Sequence, residues 1–169
     1  MRETPDEMAR LQRLLDDSMD GAGPHLRSII TDERRLEAQS LCQVLQGMRL
    51  LVLATTTADG RPLVGPVDGY FLHGSFWFSS GRQSVRMRHL AARPAVSASH
   101  LPGEQLAVSV HGRAKLFDLA DPVGDELRRA MLDHYLPIQG PEFETWLSSS
   151  DALGGRIDAD RVFTFHLDG

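Results

Sequence analysis

The chain has 169 residues, room for one domain whose core needs neither disulfides nor a structural metal. A hydrophobic share of 41% and a charged share of 24% are those of a globular protein, and 15 glycines with 9 prolines favour a turn-rich fold over collagen-like or coiled-coil architectures. The net charge of −5 argues against nucleic acid as a main partner, a role that usually brings a basic excess.

The single cysteine, Cys42, excludes an intrachain disulfide and a Cys-rich zinc site; it reads as a small buried hydrophobe on a helix. No apolar run approaches the ~18 residues of a membrane span. The N-terminus is acidic and lacks the apolar region of a secretory signal. The expectation is a cytoplasmic chain with no membrane partner. Of the 18 basic residues only Lys115 is lysine, so arginine abundance by itself says nothing about phosphate binding.

In chain order, Thr4-Pro5-Asp6-Glu7 is a helix start with a capping box, followed by Met8, Leu11 and Leu15 at helical spacing. Gly21 to Pro24 breaks that helix. A second helix is predicted from about Asp32 to Gly47, capped by Thr31, with Leu36, Leu41, Val44, Leu45 and Met48 as its stripe. Residues 50–57 then read as a strand, and Asp59-Gly60 as a hairpin turn. The next strand, Pro62 to Phe71, is interrupted by Pro62, Gly65, Pro66 and Gly69 and is expected at an edge, kinked or bulged. His73-Gly74 turns the chain into a third strand, Phe76 to Ser80.

A short helix is predicted from Ser84 to Ala92. Strands at Ala95–Leu101 and Gln105–Phe117 follow, the latter bent at Gly112. Helices are expected at Val123–Tyr135, broken by Pro137, and at Glu142–Leu147. Ser148–Ser150 and Gly154-Gly155 read as loop, and Arg161–His166 as a sixth strand. Six mostly antiparallel strands with helices at the ends and one inserted make a small barrel, whose closure would remove exposed edges.

No nucleophile elbow, zinc-protease helix or phosphate-loop signature occurs, and the seven histidines fall at no metal-ligand spacing, so no metal site is expected. The informative stretch is Ser79-Ser80-Gly81-Arg82-Gln83-Ser84-Val85-Arg86. Two hydroxyls end a strand, a glycine frees the turn, and a helix begins near Ser84, where unpaired N–H groups favour an anion. Arg82 and Arg86 match phosphate bidentately. The same residues also fit a solvated basic helix, and composition does not choose between the two.

The run from Leu53 to Val67 resembles the opening hairpin of the pyridoxamine 5′-phosphate oxidase-like family, whose fold is a flavin-binding split barrel. Further similarity lies in Phe76–Ser80, Ser84–Ser97, the Val110-His111-Gly112-Arg113-Ala114 strand and the Arg161–Phe165 strand. The resemblance spans about 45–117 and 156–167. It implies a mainly β fold with flanking helices, a six-stranded antiparallel split β-barrel. Residues 48–169 would form that flavin-binding domain, and the 1–47 helices would pack on it or on a partner chain.

What the resemblance implies for function is an FMN-dependent oxidoreductase moving a hydride to or from a small-molecule substrate. The isoalloxazine ring would lie against Val64, Gly65, Pro66 and Val67, and the phosphate against Ser79, Ser80, Arg82, Ser84 and Arg86. Members of the family also use a deazaflavin or bind haem, so a deazaflavin-dependent reductase and a non-catalytic flavin- or haem-binding module are the alternatives, with a barrel that binds no cofactor behind them. Two positions depart from the family pattern: Arg86 stands where lysine is frequent, and His89 where asparagine is usual. The C-terminal Arg-x-His-type substrate motif of the true pyridoxamine phosphate oxidases has no counterpart, so that activity is not expected.

A homodimer with the cofactor at the subunit interface is also implied. The sequence adds that Gly69–Leu72 and Phe76–Phe78 carry more large apolar groups than one inward face needs, an excess expected to form an exposed interface patch.

Overall fold

Strand β1 (Met48–Thr56) turns Leu51, Leu53 and Thr55 inward and leaves Leu50 and Val52 exposed, the two-residue period of a half-buried strand. The chain reverses at Gly60, whose φ of 85° is left-handed, and the Thr57 hydroxyl accepts the Arg61 N–H at 2.9 Å to close the turn. It returns as β2 (Pro62–Leu72), in unbroken register with β1 from Thr56↔Pro62 to Met48↔Tyr70. A second tight turn at His73-Gly74, with φ of 55° and 74°, leads into β3 (Ser75–Gly81).

In the computed structural model, which describes residues 2–167, these strands join β4 (Ala95–Gly103), β5 (Leu106–Asp118) and β6 (Ala152–His166) in a closed antiparallel barrel of order β1-β2-β3-β6-β5-β4. The helices are α1 (Pro5–Asp20), α2 (Pro24–Ile29), α3 (Ala38–Val44), α4 (Val85–Ala92), α5 (Asp125–Gln139) and α6 (Glu142–Ser149). None is long and apolar enough to cross a membrane.

One core fills the barrel around Leu51, Phe71, Phe76, Phe78, Val108 and Ile157, and Leu11, Leu15, Leu41 and Leu45 of the N-terminal region extend it. A second core lies on the opposite face of β2 and β3. There Tyr70, Leu72 and Trp77 pack against Leu127 and Met131 of α5 and Phe143 and Leu147 of α6.

Several expectations need correcting. The single helix expected over 32–47 is instead a turn followed by the shorter α3, and α2 before it, at Pro24–Ile29, has no counterpart among the expected elements. Thr31 caps no helix; its carbonyl accepts from Arg34 and Arg35 in a turn, and Glu37 is the N-cap of α3. Pro137 sits inside α5, near enough to its C-terminal end that the missing N–H removes only one late bond, and Gly140 ends the helix at φ 77°. Gly154 and Gly155 are strand residues of β6. A Cβ on Gly155 would stand 2.5 Å from the Phe78 ring, so glycine is needed there for close packing rather than for a turn.

β2 is an edge only over part of its length and carries no bulge. The aromatic excess of β2 and β3 is not exposed, because α5 and α6 cover it within the chain. Gly112 does mark an irregularity: the β5–β6 register shifts between His111 and Gly112, and a Cβ there would meet the Asp158 carbonyl at 2.2 Å.

Candidate functional site

β2 pairs with β3 only from Gly69↔Phe78 to Leu72↔Ser75. Beyond that point the two strands part. Residues 62–68 of β2 keep β1 as their one partner, and Ser79–Gly81 of β3 keep β6. The N-terminus of α4 stands in the split. Ser84 caps it, its Oγ accepting the Met87 N–H at 3.4 Å. The Ser80 hydroxyl donates to Ser84 Oγ at 3.1 Å, and Arg86 Nη1 donates to the Pro66 carbonyl at 2.7 Å. One side of α4 is thus tied to β3 and the other to the open edge of β2.

Arg86 is half-buried and has no carboxylate partner among the described residues, so its charge is uncompensated. It runs beneath Gly65, where a Cβ would stand 3.3 Å from Nη2. Gly65 and Val67 face the barrel interior, and Val67 is buried in the core. Val64 and Pro66 face outward and are exposed. Of the four β2 residues named for the ring, only these two offer side chains to a ligand outside the barrel; Val67 has only its backbone to offer there.

The structure gathers Ser80, Ser84 and Arg86 and keeps Arg82 apart. Arg82 donates to Asp151 and to Asp118, each at 2.6 Å, and its backbone N–H bonds the Asp151 carbonyl. These bonds hold its guanidinium more firmly protonated than usual, the one to Asp151 foremost. Arg82 therefore clips the β3–α4 turn to the ends of β5 and β6. Ser79 lies on the opposite side of β3 from Ser80 by strand alternation. His89, at the position where the family usually has asparagine, hydrogen-bonds Thr55 of β1 through Nδ1 at 3.0 Å. Arg93 bonds the Thr56 carbonyl at 2.9 Å, which anchors the far end of α4.

Sequence reasoning missed a cleft of 650 Å³ beside the split, between the β3 end and helices α5 and α6. Asp68, Ser79, Tyr135, Phe143 and Trp146 are among its walls. The Tyr135 hydroxyl donates to Asp68. Burial, with that hydrogen bond and the nearby carboxylate charge, pushes Tyr135 up to about 12, so it remains a donor at neutral pH. On α5 Tyr135 stands at helical spacing from Leu127 and Met131, but nothing local to either segment announces that Asp68 meets it.

Residues 39–164 match the family model described as pyridoxamine 5′-phosphate oxidase. A comparison with curated protein sequences finds no match. Among solved structures, the chain is similar to the conserved hypothetical protein Rv2991 of Mycobacterium tuberculosis, with a TM-score of 0.65 and 20% identity over 80% of this chain and 88% of that one. It is also similar to HutZ, the haem storage protein of Vibrio cholerae, with a TM-score of 0.62 and 17% identity over 79% and 96% of the two chains. An FAD-binding protein of Mesorhizobium loti gives a TM-score of 0.55 and 25% identity over 80% and 98%. The structural likenesses bear out the split-barrel fold, and the family model covers most of the chain: it belongs to the pyridoxamine 5′-phosphate oxidase family.

Proposed function

We propose that this chain binds a flavin, FMN in the leading reading, where α4 stands in the split, and uses it to move a hydride to or from a small molecule. The observation that carries the reading is the linked set Ser80–Ser84–Arg86–Pro66. It places two hydroxyls, a helix N-terminus and an uncompensated arginine against an open strand edge. That is the donor set a phosphate monoester needs. A bound flavin would supply the two-electron chemistry that no side-chain constellation among the described residues offers.

The chain's own part is binding and placement. Ser84 and Arg86 hold the phosphate end, Ser80 orients Ser84, and the exposed Val64 and Pro66 form an apolar ledge for the ring. Arg82 fixes the turn, its Nε held by Asp151 and its Nη2 by Asp118, and stands outside the phosphate contacts in this reading.

The same seat accepts the phosphate of a deazaflavin, so titration followed by fluorescence quenching is run with FMN and with a deazaflavin. Saturable binding of at least micromolar affinity is expected for one of them, and none for either sinks the oxidoreductase reading. Steady-state reduction of the loaded protein by NAD(P)H or reduced deazaflavin then separates an enzyme from a storage or sensing module. The missing Arg-x-His-type motif argues against pyridoxamine phosphate as the substrate.

A homodimer belongs to the same reading. Leu50, Val52 and Val64 are 55%, 40% and 64% exposed, share the outer face of the β1–β2 pair, and have Leu101 of β4 beyond them. An apolar face of this kind next to the open edge is suited to two-fold pairing. Light scattering is expected to give twice the 18.7 kDa chain mass. A monomer at tens of micromolar that still saturates with flavin would confine the site to one chain.

A further inference from the structure

The chain has two tryptophans with opposite surroundings. Trp77 is buried in the second core, and its indole N–H bonds the Leu72 carbonyl at 3.1 Å. Trp146 is 57% exposed on the wall of the 650 Å³ cleft. It ends a ladder of three rings. Tyr135 and Phe143 have centroids 4.7 Å apart and planes 34° apart, and Phe143 and Trp146 follow at 5.4 Å and 33°. Each ring is tilted from the next, so the three form a stepped aromatic wall whose exposed end is Trp146.

The polar side of the cleft is acidic. Among its described lining residues two are carboxylates, Asp68 and Asp151, and none is basic. Asp151 is neutralised by Arg82. Asp68 has no cationic partner among the described residues and takes one hydrogen bond, from Tyr135 to Oδ2. Its other oxygen faces no described donor. A carboxylate fixed at the edge of an aromatic wall favours a flat cation, through charge on one side and cation–π contact on the other. The volume lies within the roughly 300–1,000 Å³ of small-molecule pockets.

We propose that the cleft between β3 and helices α5 and α6 is a ligand site for planar aromatic cations, with Asp68 as the charge anchor and Trp146 as the stacking surface. Ser80 at the β3 end borders both this cleft and the cradle at α4. The cleft is therefore where a substrate would reach the flavin. That assignment rests on the proposed function, whereas the binding itself does not.

Calorimetric titration of the full chain at neutral pH, without flavin, tests it. The probes are 1-methylquinolinium and, as an anion of matched size, 2-naphthoate. The cation is expected to bind saturably and 2-naphthoate not to. Loss of a hydrogen-bonded or charge-paired contact corresponds to about tenfold in affinity, and that weakening is expected for Asp68→Asn and for Trp146→Ala. Asparagine keeps an acceptor for Tyr135, and Trp146 is exposed, so both variants should fold; far-UV dichroism and thermal melts check this. Arg88→Ala, on an exposed face of α4, should leave the cation's affinity unchanged.

Equal binding of cation and anion overturns the proposal. So does an affinity that neither Asp68→Asn nor Trp146→Ala alters, or no saturable binding of the cation at millimolar concentration. Cation binding that survives alongside a failed flavin titration would sink the cofactor reading alone.

Discussion

From Gly69 to Leu72, β2 is paired with β3, at Gly69 and Tyr70 with β1 as well, and its side chains are buried alternately, Phe71 inside the barrel and Tyr70 and Leu72 under α5 and α6. From Pro62 to Asp68 the same strand is paired on one side, and Leu63, Val64 and Pro66 are exposed. Burial fixes the first half, since any change there disturbs two cores. The second half is held by β1, by the Arg86 bond to the Pro66 carbonyl and, at its last residue, by the Tyr135 bond to Asp68. Its proline and glycine pattern, a poor one for a central strand, is tolerated because no strand asks for hydrogen bonds on that side. Stability is concentrated where β2 is zipped, and a ligand has room where it is split.

The largest expected effect tests the zipped half. Phe71→Ala removes a ring packed edge-on against Phe76 at 5.0 Å and should cost about 3–5 kcal/mol. Val64→Ala, on the exposed half, should stay within about 0.5 kcal/mol. Urea midpoints measure both, and similar losses for the two would break the contrast.

The next effect tests the split half and leaves stability aside. Arg86→Ala should weaken flavin affinity about tenfold or more, the loss of a hydrogen bond to a charged group being worth roughly 1.5–3 kcal/mol. Arg88 is exposed and lies about 200° further round the helix, so Arg88→Ala should change little. Arg82→Ala should loosen the β3–α4 turn and yet affect flavin affinity less than Arg86→Ala, because its partners are Asp118 and Asp151. Fluorescence titration of the three variants ranks them. Equal effects at positions 86 and 88 would mean that the helix presents another face to the ligand.

The strands and their turns were legible in the sequence because each is written locally, in alternation and in turn residues such as Asp59-Gly60 and His73-Gly74. The split was half legible: the prolines and glycines of β2 mark an edge, but only the pairing shows where the edge begins. What stayed hidden depends on residues far apart in the chain. Arg82 reads as a phosphate ligand until Asp118 and Asp151, 36 and 69 positions away, are seen to hold it. Gly154-Gly155 reads as loop until the rings of Phe117 and Phe78 are found where their side chains would be. Tyr70 and Trp77 read as an exposed patch because nothing in their own segment announces that α5 and α6 will cover them.

The smallest expected effect lies at the zipped end of β2. His73, in the β2–β3 turn, places Nδ1 3.1 Å from Glu7 of α1 and Nε2 2.7 Å from Glu126 of α5. Only the imidazolium can donate to both carboxylates; the neutral ring has one N–H and leaves one of them without a donor. Burial opposes the charge, but the hydrogen bonds to Glu126 and Glu7 outweigh it and raise the His73 pKa. A raised folded value means that this contribution is complete below the unfolded value of about 6.5 and is lost as pH climbs through the folded one. Glu7 has the opposite sign. The Thr4 N–H leads the causes that lower its pKa, against burial, so its contribution is present above about 4.3 and fades as pH falls through the lowered value. The window that isolates His73 is therefore neutral to alkaline. The effect is modest, since the His73 side chain is 33% exposed and solvent screens the pair. His73→Asn is the informative substitution, because asparagine tolerates the left-handed φ of 55° that the turn requires. Thermal melts from about pH 6 to 9 should show the wild-type midpoint falling as pH rises, while the variant, lower at the acid end, changes less and converges on it. Curves that run parallel across that window would mean that the turn is held by its backbone geometry and that the two carboxylates contribute nothing to the zipped end.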